Sequence, residues 1–321
     1  MRIGTIGTGS IVVSMIESFH KTDFFKCEAV YSRKEETGRK LADSFGIQKV
    51  YTDLDEMCQD KDIDMIYVAS PNTFHYIQAK KALEYGKHVI CEKPFTITLE
   101  ETLDLIHIAK ENHLFLFEAI TTAHHPNFKK AVEHLSDIGR LQMISAVFCQ
   151  YSSKYDAFLE GKNPNVFNPE FAGGSLMDIN FYNLYFVLEL LGKPNSIQYL
   201  AGRAENGIDT HGILTLLYPD VICQCTGSKS STAENGVQII GEKGYIHVTP
   251  SASNPKEIRI VRKGHDDIIY SLPENPWYYE TQAIAAIASA GDYETCYKRL
   301  DQTALVIEIL IEARKSAGLL F

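Results

Sequence analysis

The sequence predicts an α/β protein, in which a doubly wound parallel sheet is followed by an α+β domain with a largely antiparallel, open-faced sheet. Strand-like and helical segments alternate over residues 1–119, the turn Gly7-Thr8-Gly9 follows the first strand, and several strands without helices between them fill residues 197–270. Alternating strands and helices are typical of parallel sheets, whereas strands joined by tight turns form antiparallel or mixed sheets. We therefore predict two domains, at 1–119 and 120–321.

Periodicity defines the first two strand–helix units. Residues 2–6 have the apolar character of a strand. After the glycine turn, Ile11, Met15 and Phe19 recur at helical spacing, so a helix begins near residue 10. The second strand is predicted at 27–32 and its helix at 35–45, before a glycine that suits a helix end.

The next two strands are predicted near residue 50 and at 65–69. Asp53 follows the short strand near residue 50 and is a good N-cap for the helix after it. Residues 65–69 form a continuous apolar run, as expected for a strand that is buried on both faces. A helix over 73–85 completes this part of the domain.

Two further strands, at 88–91 and 114–117, bring the predicted parallel sheet to six. Thr98 and Glu101 form a capping box for the helix between them, which extends to about residue 113. The pattern of alternation ends near residue 119.

The second domain begins with a helix over 127–135 and a strand over 143–151. Gly173-Gly174 precedes a predicted helix that runs to residue 191. The strands of 197–270 follow, and two helices beginning near residues 277 and 300 complete the chain.

Composition excludes several classes of partner. The formal net charge is -10 at pH 7, and such a field repels phosphate, so we predict neither nucleic acid nor an anionic membrane as partner. The apolar runs are far shorter than the roughly 20 residues of a membrane span. Because no charged leader precedes the first strand, we expect a cytoplasmic protein. The 7 cysteines are scattered without a CxxC pair, so we expect reduced core thiols and no metal site.

The glycine turn predicts dinucleotide binding. A strand, a Gly-x-Gly turn and a helix direct backbone N–H groups and a helix dipole toward a pyrophosphate. The residues expected to bind it are Gly7, Thr8, Gly9, Ser10 and Ile11. Val12 stands where a third small residue is usual, which indicates a slightly wider crossing of helix and strand.

The end of the second strand favours NADP over NAD. NAD sites usually carry an acidic residue here, which binds the adenosine ribose. This chain has Ser32, Arg33 and Lys34 instead, a hydroxyl and two cations that suit a ribose 2′-phosphate. Alternatively, Arg33 only stacks on adenine and the cofactor is NAD.

Polar residues also follow two later strands. Ser70, Pro71, Asn72 and His75 come after the fourth strand, and Glu92 and Lys93 come at the end of the fifth. Ligands of open parallel sheets bind outside the carboxyl ends of the strands. We therefore expect these residues to line the cofactor site, with Lys93 at the nicotinamide end. Considered alone, the lysine would be a surface group and the histidine a helix-start residue.

A pair of residues in the second domain completes the candidate site. Asp178 and Tyr182 are four apart in the segment after Gly173-Gly174, so a helix would place both side chains on one face. On spacing alone, a core helix with a capping aspartate and a buried tyrosine is the favoured interpretation.

These motifs together resemble the glucose–fructose oxidoreductase and inositol dehydrogenase family, abbreviated Gfo/Idh/MocA. The resemblance extends over nearly the whole chain through GTGSI, SPNTFH, GKHVICEKP, FEA and GGSLMDINFY. It implies a Rossmann domain, a catalytic Lys93 and an Asp178 paired with the residue four positions later. Histidine is common at that position, whereas a tyrosine there, as at Tyr182, resembles the dihydrodiol dehydrogenase and glucose–fructose oxidoreductase branches. Asn180 and Ala123 stand where Gly and Arg are usual in the family, so the resemblance does not name a particular substrate.

The expected reaction is reversible hydride transfer between nicotinamide and a carbinol or carbonyl carbon of a sugar, polyol or related compound. Tyr182 is the candidate acid and base. A free phenol has a pKa of about 10, and a nearby cation such as Lys93 would favour the phenolate and a developing alkoxide. Asp178 would orient Lys93 or bind a substrate hydroxyl. In the alternative, Lys93 transfers the proton and Tyr182 only positions the substrate.

Two other functions remain open at this point. One is a non-catalytic sensor that binds NAD(P), since the fold also serves that purpose. The other is a glycosidase that uses NAD for transient oxidation of the sugar. Family members pair through the open sheet face, so we also expect a homo-oligomer, a dimer or higher. Apolar residues on both faces of 211–218 and 221–226 agree with this expectation.

Overall fold

The computed structural model describes residues 1–319. Its backbone forms two compact units. The first contains Met1–Ala119 and Trp277–Ala304, and the second contains Ile120–Pro276 and the chain from Leu305 onward.

The first unit is built on a parallel sheet of six strands within the described residues. Its strands are β1 Arg2–Ile6, β2 Lys26–Tyr31, β3 Lys49–Tyr51, β4 Met65–Val68, β5 His88–Glu92 and β6 Leu116–Ala119. They are arranged in the order β3-β2-β1-β4-β5-β6. β2 and β3 lie on one side of β1, and β4, β5 and β6 lie on the other, so the sheet changes winding direction between β1 and β4. The predicted doubly wound fold is confirmed.

Helices connect these strands, and their ends follow the local signals of the sequence. They are α1 Ser10–Phe19, α2 Glu35–Phe45, α3 Leu54–Gln59, α4 His75–Glu84 and α5 Leu99–Glu111, with a short 3-10 turn at Asn72–Phe74 before α4. Asp53 accepts a hydrogen bond from the backbone N–H of Asp55 at 2.7 Å, as an N-cap does. Thr98 and Glu101 form the predicted capping box. Gly46 ends α2 in the left-handed conformation.

The second unit contains a mixed sheet of eight strands in the described part of the chain. Its strands are β7 Leu141–Cys149, β8 Ser196–Arg203, β9 Asp209–Leu217, β10 Ile222–Ser228, β11 Gly236–Gly241, β12 Gly244–Ser251, β13 Asn254–Arg262 and β14 Ile268–Ser271. Neighbouring strands are antiparallel except β7 and β10, which run parallel. The predicted largely antiparallel sheet is confirmed.

Helical segments cover one face of this sheet. They are α6 Thr121–His124, α7 Pro126–Glu133, α8 Tyr155–Leu159 and α9 Phe181–Leu191, with 3-10 turns at Leu135–Ile138, Asn165–Phe167 and Pro169–Phe171. A single π-helical turn, Leu176–Asn180, leads directly into α9. We expected one regular helix beginning at the glycine pair. The π-turn replaces its first part, and the Asp209 carboxylate caps this turn by accepting a hydrogen bond from the amide N–H of Leu176 at 2.7 Å.

The last two helices change the predicted division of the chain. They are α10 Pro276–Ser289 and α11 Tyr293–Ser316. Ile284, Ala285, Ala288 and Cys296 belong to the core cluster of the first unit, which explains why residues 277–304 are part of that unit. The predicted boundary at 119 coincides with a boundary between the units. The predicted second domain over 120–321, however, includes residues 277–304, which pack with the first unit. Positions 320 and 321 of that domain lie outside the described residues.

Two general features complete the fold. No helix within residues 1–319 is long and apolar enough to cross a membrane. All of the cysteines are buried thiols without a disulfide, and the described residues contain no group of three or more His, Cys, Asp or Glu side chains that could hold a metal ion.

Candidate active site

The glycine turn between β1 and α1 forms a cradle that side chains leave open. Gly7 has a φ of +113°, and a Cβ there would lie 2.6 Å from the carbonyl oxygen of Ala69. Gly9 precedes α1 in an extended conformation, and a Cβ there would meet nothing within 4 Å. Thr8, Gly9 and Ser10 are exposed. The first N–H groups of α1 thus face open space, and the turn fits a pyrophosphate.

The end of β2 presents two exposed cations. Arg33 and Lys34 are exposed, and Lys34 immediately precedes α2. Ser32 is buried, and its hydroxyl lies 2.7 Å from that of Thr37. The serine therefore shapes the start of α2, and the two cations are the groups available to a phosphate.

The predicted cofactor residues of the first unit gather at one edge of its sheet. Because β1, β2, β4 and β5 run parallel, the segments that follow them lie at the same carboxyl edge. The winding direction of the sheet changes at β1 and β4, the position at which open α/β sheets bind their ligands. The structure therefore brings together the glycine turn, residues 32–34, residues 70–72 and Lys93.

The His75 side chain links the segment after β4 to the segment after β5. Its Nδ1 lies 2.9 Å from the carbonyl oxygen of Pro94, and its Nε2 lies 2.9 Å from that of Ser70. Burial lowers the pKa of the imidazole, and a neutral ring donates to only one of the two carbonyls. His75 is also the first residue of α4, so both its ring and its backbone fix the turns after β4 and β5.

Glu92 and Lys93 end β5 in different environments. Glu92 is buried, with 8% exposure, and accepts a hydrogen bond of 2.6 Å from the Tyr67 hydroxyl. Lys93 is half-buried and is joined to Pro94 by a cis peptide bond. Glu92 is therefore a buried, hydrogen-bonded residue at the end of β5, and Lys93, directly after it, is the more exposed of the two.

Two more buried carboxyl groups of this unit escaped sequence reasoning. Glu118 of β6 is 4% exposed and Glu280 of α10 is 1% exposed. Burial raises the pKa of Glu118 to about 8, and the charge of Lys93 acts against that shift, which indicates that the lysine lies nearby. Burial raises the pKa of Glu280, with Glu92 and Glu118 adding to it. Glu118 is the acid of the FEA motif, but nothing in that motif shows that its carboxyl is buried beside Lys93, and Glu280 lies outside every motif.

Asp178 lies in the π-turn of the second unit and is paired with a lysine. The ammonium of Lys229 donates a hydrogen bond to Oδ2 of the aspartate. The lysine side chain is 6% exposed and the aspartate side chain 34%. Sequence reasoning missed Lys229, since it stands in a polar run after β10 and only its buried environment makes it notable.

Asn180 and Tyr182 follow this aspartate along the chain. Tyr182 is half-buried near the top of α9, with its ring 6.2 Å from that of Phe148. Asn180 is buried, and its amide donates to the carbonyl oxygen of Cys225 at 3.1 Å. The departure from Gly at position 180 thus has a structural role. Gly227 accommodates it, since a Cβ there would lie 2.6 Å from that of Asn180.

Family comparisons agree with both units. Residues 1–120 match the oxidoreductase family GFO_IDH_MocA, described as having an NAD-binding Rossmann fold. Residues 129–247 match the GFO/IDH/MocA C-terminal domain.

Individual relatives span the whole chain. This chain is 34% identical to scyllo-inositol 2-dehydrogenase (NADP(+)) IolU of Bacillus subtilis over 323 residues, an alignment that covers 100% of this chain and 98% of IolU. Identity and coverage are the same for the uncharacterized oxidoreductase YgjR of Escherichia coli. The trans-1,2-dihydrobenzene-1,2-diol dehydrogenase of Sus scrofa is 27% identical, with 91% of this chain and 89% of the relative covered.

Solved structures share the fold. A 3-ketoreductase from Actinomadura kijaniata, in complex with NADP and TDP-benzene, superposes with a TM-score of 0.85. Its sequence is 21% identical, and 98% of this chain and 97% of that chain are covered.

Proposed function

Since the chain belongs to the Gfo/Idh/MocA family of oxidoreductases, we propose that it oxidises a secondary alcohol of a cyclic polyol or sugar, or reduces the corresponding ketone, with NADP. The observation that carries this proposal is full-length similarity to an NADP-dependent inositol dehydrogenase, together with the strand-end cluster of the first unit. It is an NAD(P)-dependent enzyme that acts on CH–OH groups.

The residues of the first unit fit the cofactor. The N–H groups that begin α1 would hold the pyrophosphate, and Arg33 and Lys34 would hold the ribose 2′-phosphate. Ser70, Pro71 and Asn72 would line the site after β4. When bound, the nicotinamide supplies the hydride donor or acceptor.

The proton of the substrate hydroxyl needs a carrier from the protein. Tyr182 is our candidate, because its phenol is half-buried on the helix that follows Asp178. Lys93 would stabilise the developing alkoxide by its charge. In the alternative, Lys93 carries the proton and Tyr182 positions the substrate.

Two substitutions separate these roles. If tyrosine carries the proton, Tyr182→Phe should reduce kcat by 100-fold or more, since general acid–base catalysis contributes about 10²–10⁴-fold. A loss of less than tenfold would assign the proton to another group. Lys93→Met should also abolish most turnover, whereas Lys26→Met, at a lysine side chain that is 73% exposed, should leave it unchanged.

A substrate panel tests the function as a whole. Scyllo-inositol, myo-inositol, aldoses, linear polyols and dicarbonyls would be assayed with NADP and NAD at 340 nm. We expect net formation of NADPH with at least one cyclic polyol. Cofactor that stays bound through purification, with hydrolysis of a glycoside and no net change in absorbance, would contradict the proposal.

We also propose that the open face of the second sheet pairs two copies of the chain. One cross-strand row on this face is apolar across six neighbouring strands, from β9 to β13, and Ser196 of β8 follows at its end. It consists of Leu217, Ile222, Met143, Ile240, Tyr245 and Val261. Several of these side chains are strongly exposed, including Ile222 at 54% and Met143 at 49%. Continuous exposed apolar surface of this kind is typical of an interface.

Light scattering decides the oligomeric state. We expect at least twice the 36.1 kDa of one chain, and Ile222→Arg should return the monomer mass by placing an unpaired charge in the apolar row. A wild-type mass of one chain at micromolar concentration would contradict the pairing.

A cytoplasmic location belongs to the same proposal. Its support is the proposed use of NADP and the buried thiols without a disulfide, which suit a reducing compartment. Cell fractionation followed by immunoblotting tests it, and recovery with the membrane fraction would contradict it.

A further inference from the structure

Lys229 is a buried cation that none of the sequence motifs includes. Its side chain is 6% exposed, and a buried ammonium without a partner is strongly unfavourable. The Asp178 carboxylate provides that partner. The aspartate is the more exposed member, with a third of its side chain open to solvent. The pair therefore presents a carboxylate to its surroundings and keeps the lysine behind it.

The backbone fixes Lys229 on both sides. Its N–H donates to the carbonyl oxygen of Thr210 at 2.8 Å, and its carbonyl oxygen accepts from the N–H of Ser152 at 2.9 Å. The backbone of Lys229 is thus held in place directly after β10, and its buried ammonium donates to Oδ2 of Asp178 from there. The π-turn that carries the aspartate is itself fixed to β10 through Asn180.

Stability alone gives little reason for such a pair. A buried ion pair can often be replaced by apolar side chains of similar volume with no loss of stability. Single π-turns within helices occur frequently at functional sites. The Asp178 side chain is followed one helical turn later by Tyr182, our candidate proton carrier. These observations suggest a role in holding the substrate.

We propose that Lys229 is a positioning residue of the substrate site. Its ammonium keeps Asp178 ionised and fixes the orientation of the carboxylate, which accepts a hydrogen bond from the hydroxyl next to the reacting carbon. This inference rests on the proposed function and adds a preference within it: the substrate carries vicinal hydroxyl groups. A substrate with an isolated hydroxyl would gain nothing from the pair.

Kinetics with scyllo-inositol and NADP test the inference. Lys229→Met, which keeps the length but removes the charge, should raise KM for the polyol at least tenfold with a smaller change in kcat, and Lys229→Arg should restore part of the loss. Asp178→Asn should show the same KM effect, and the double variant should be no worse than Asp178→Asn alone. Lys193→Met removes an exposed lysine paired with Glu308 at 2.7 Å and should change nothing.

Two kinetic outcomes would overturn the inference. One is an unchanged KM in Lys229→Met. The other is a double variant whose loss equals the product of the two single losses, since independent residues do not share one function. NADPH affinity, measured by fluorescence, should stay within twofold of wild type throughout.

A measurement without turnover separates this inference from the proposed function. The free energy of unfolding would be measured from pH 3 to 7 for wild type and for Asp178→Asn. Groups that titrate alike in both proteins cancel from the difference, so its pH dependence reports the titration of Asp178. Those on the elements packed against the π-turn are Asp209 and His211 of β9, Cys223 and Cys225 of β10, Cys149 of β7, and Tyr182, Tyr185 and Glu189 of α9. In the Lys229→Met background the transition should move to higher pH. An unmoved transition would overturn the inference even if no substrate is turned over, whereas a moved one with an inactive wild type would contradict only the proposed function.

Discussion

Replacing Glu118 with glutamine should stabilise the protein at neutral pH. The Glu118 side chain is buried, and its Oε2 accepts a hydrogen bond of 2.9 Å from the Thr303 hydroxyl. Its Oε1 has no hydrogen-bond partner among the described residues. Burial raises the pKa of this carboxyl from 4.5 to about 8. At pH 7 the folded protein therefore holds a proton that the unfolded chain has released.

The sign and size of the effect follow from this difference in proton binding. A raised pKa gives stability that is fully present below pH 4.5 and is lost as the pH rises through about 8. One pKa unit corresponds to about 1.4 kcal/mol, so the protonation of Glu118 reduces the free energy of unfolding by roughly 3 kcal/mol at pH 7. Glutamine requires no proton, and its amide oxygen can still accept the bond from Thr303.

Urea unfolding of wild type and Glu118→Gln at several pH values measures the contribution of Glu118 protonation to the free energy of unfolding. The difference in unfolding free energy should grow in favour of the variant by about 2 kcal/mol between pH 5.5 and pH 7. Glu100→Gln, at an exposed position of α5, is the matched control and should show no such growth. A difference that stays constant with pH would refute the assignment of a protonated Glu118.

Three further predictions concern single positions. Gly7→Ala should lower the free energy of unfolding by about 1–3 kcal/mol and remove most of the cofactor affinity, because the new Cβ would lie 2.6 Å from a backbone carbonyl oxygen. Gly9→Ala, where a Cβ meets nothing within 4 Å, should leave the melting temperature within about 2 °C. Equal losses in both variants would contradict the steric requirement for glycine at position 7. Arg33→Ala should raise KM for NADP at least tenfold with little effect on NAD, as steady-state kinetics would show, and parallel changes for both cofactors would argue against a 2′-phosphate site. Gly227→Ala should lower the melting temperature, since its Cβ would lie 2.6 Å from that of Asn180, and combining it with Asn180→Gly should recover most of the loss.

Local signals in the sequence were sufficient for much of the first unit. The glycine turn, the Asp53 cap and the capping box at Thr98 depend on residues at most four apart, and the structure has each of them. The order of the strands then placed their carboxyl ends at one edge, which brought the predicted cofactor residues together. The roles of Lys93, Asp178 and Tyr182 stay predictions.

Other features depend on contacts between distant parts of the chain. The sequence did not indicate that α10 belongs to the core of the first unit, because an amphipathic helix shows that it packs but not against what. The cap of the π-turn could not be foreseen either, since it is Asp209, far along the chain from Leu176.

The sequence by itself determined the fold class, the family and the cofactor edge, because these follow from periodicity, turn residues and short motifs that act locally. Only the tertiary structure decided which buried charges meet. Lys229 and Asp178 are 51 residues apart, and Glu118 is bonded to a threonine 185 residues away. A buried charge is tolerated only where the fold provides a partner or a proton, and the identity of that partner is a property of the packing.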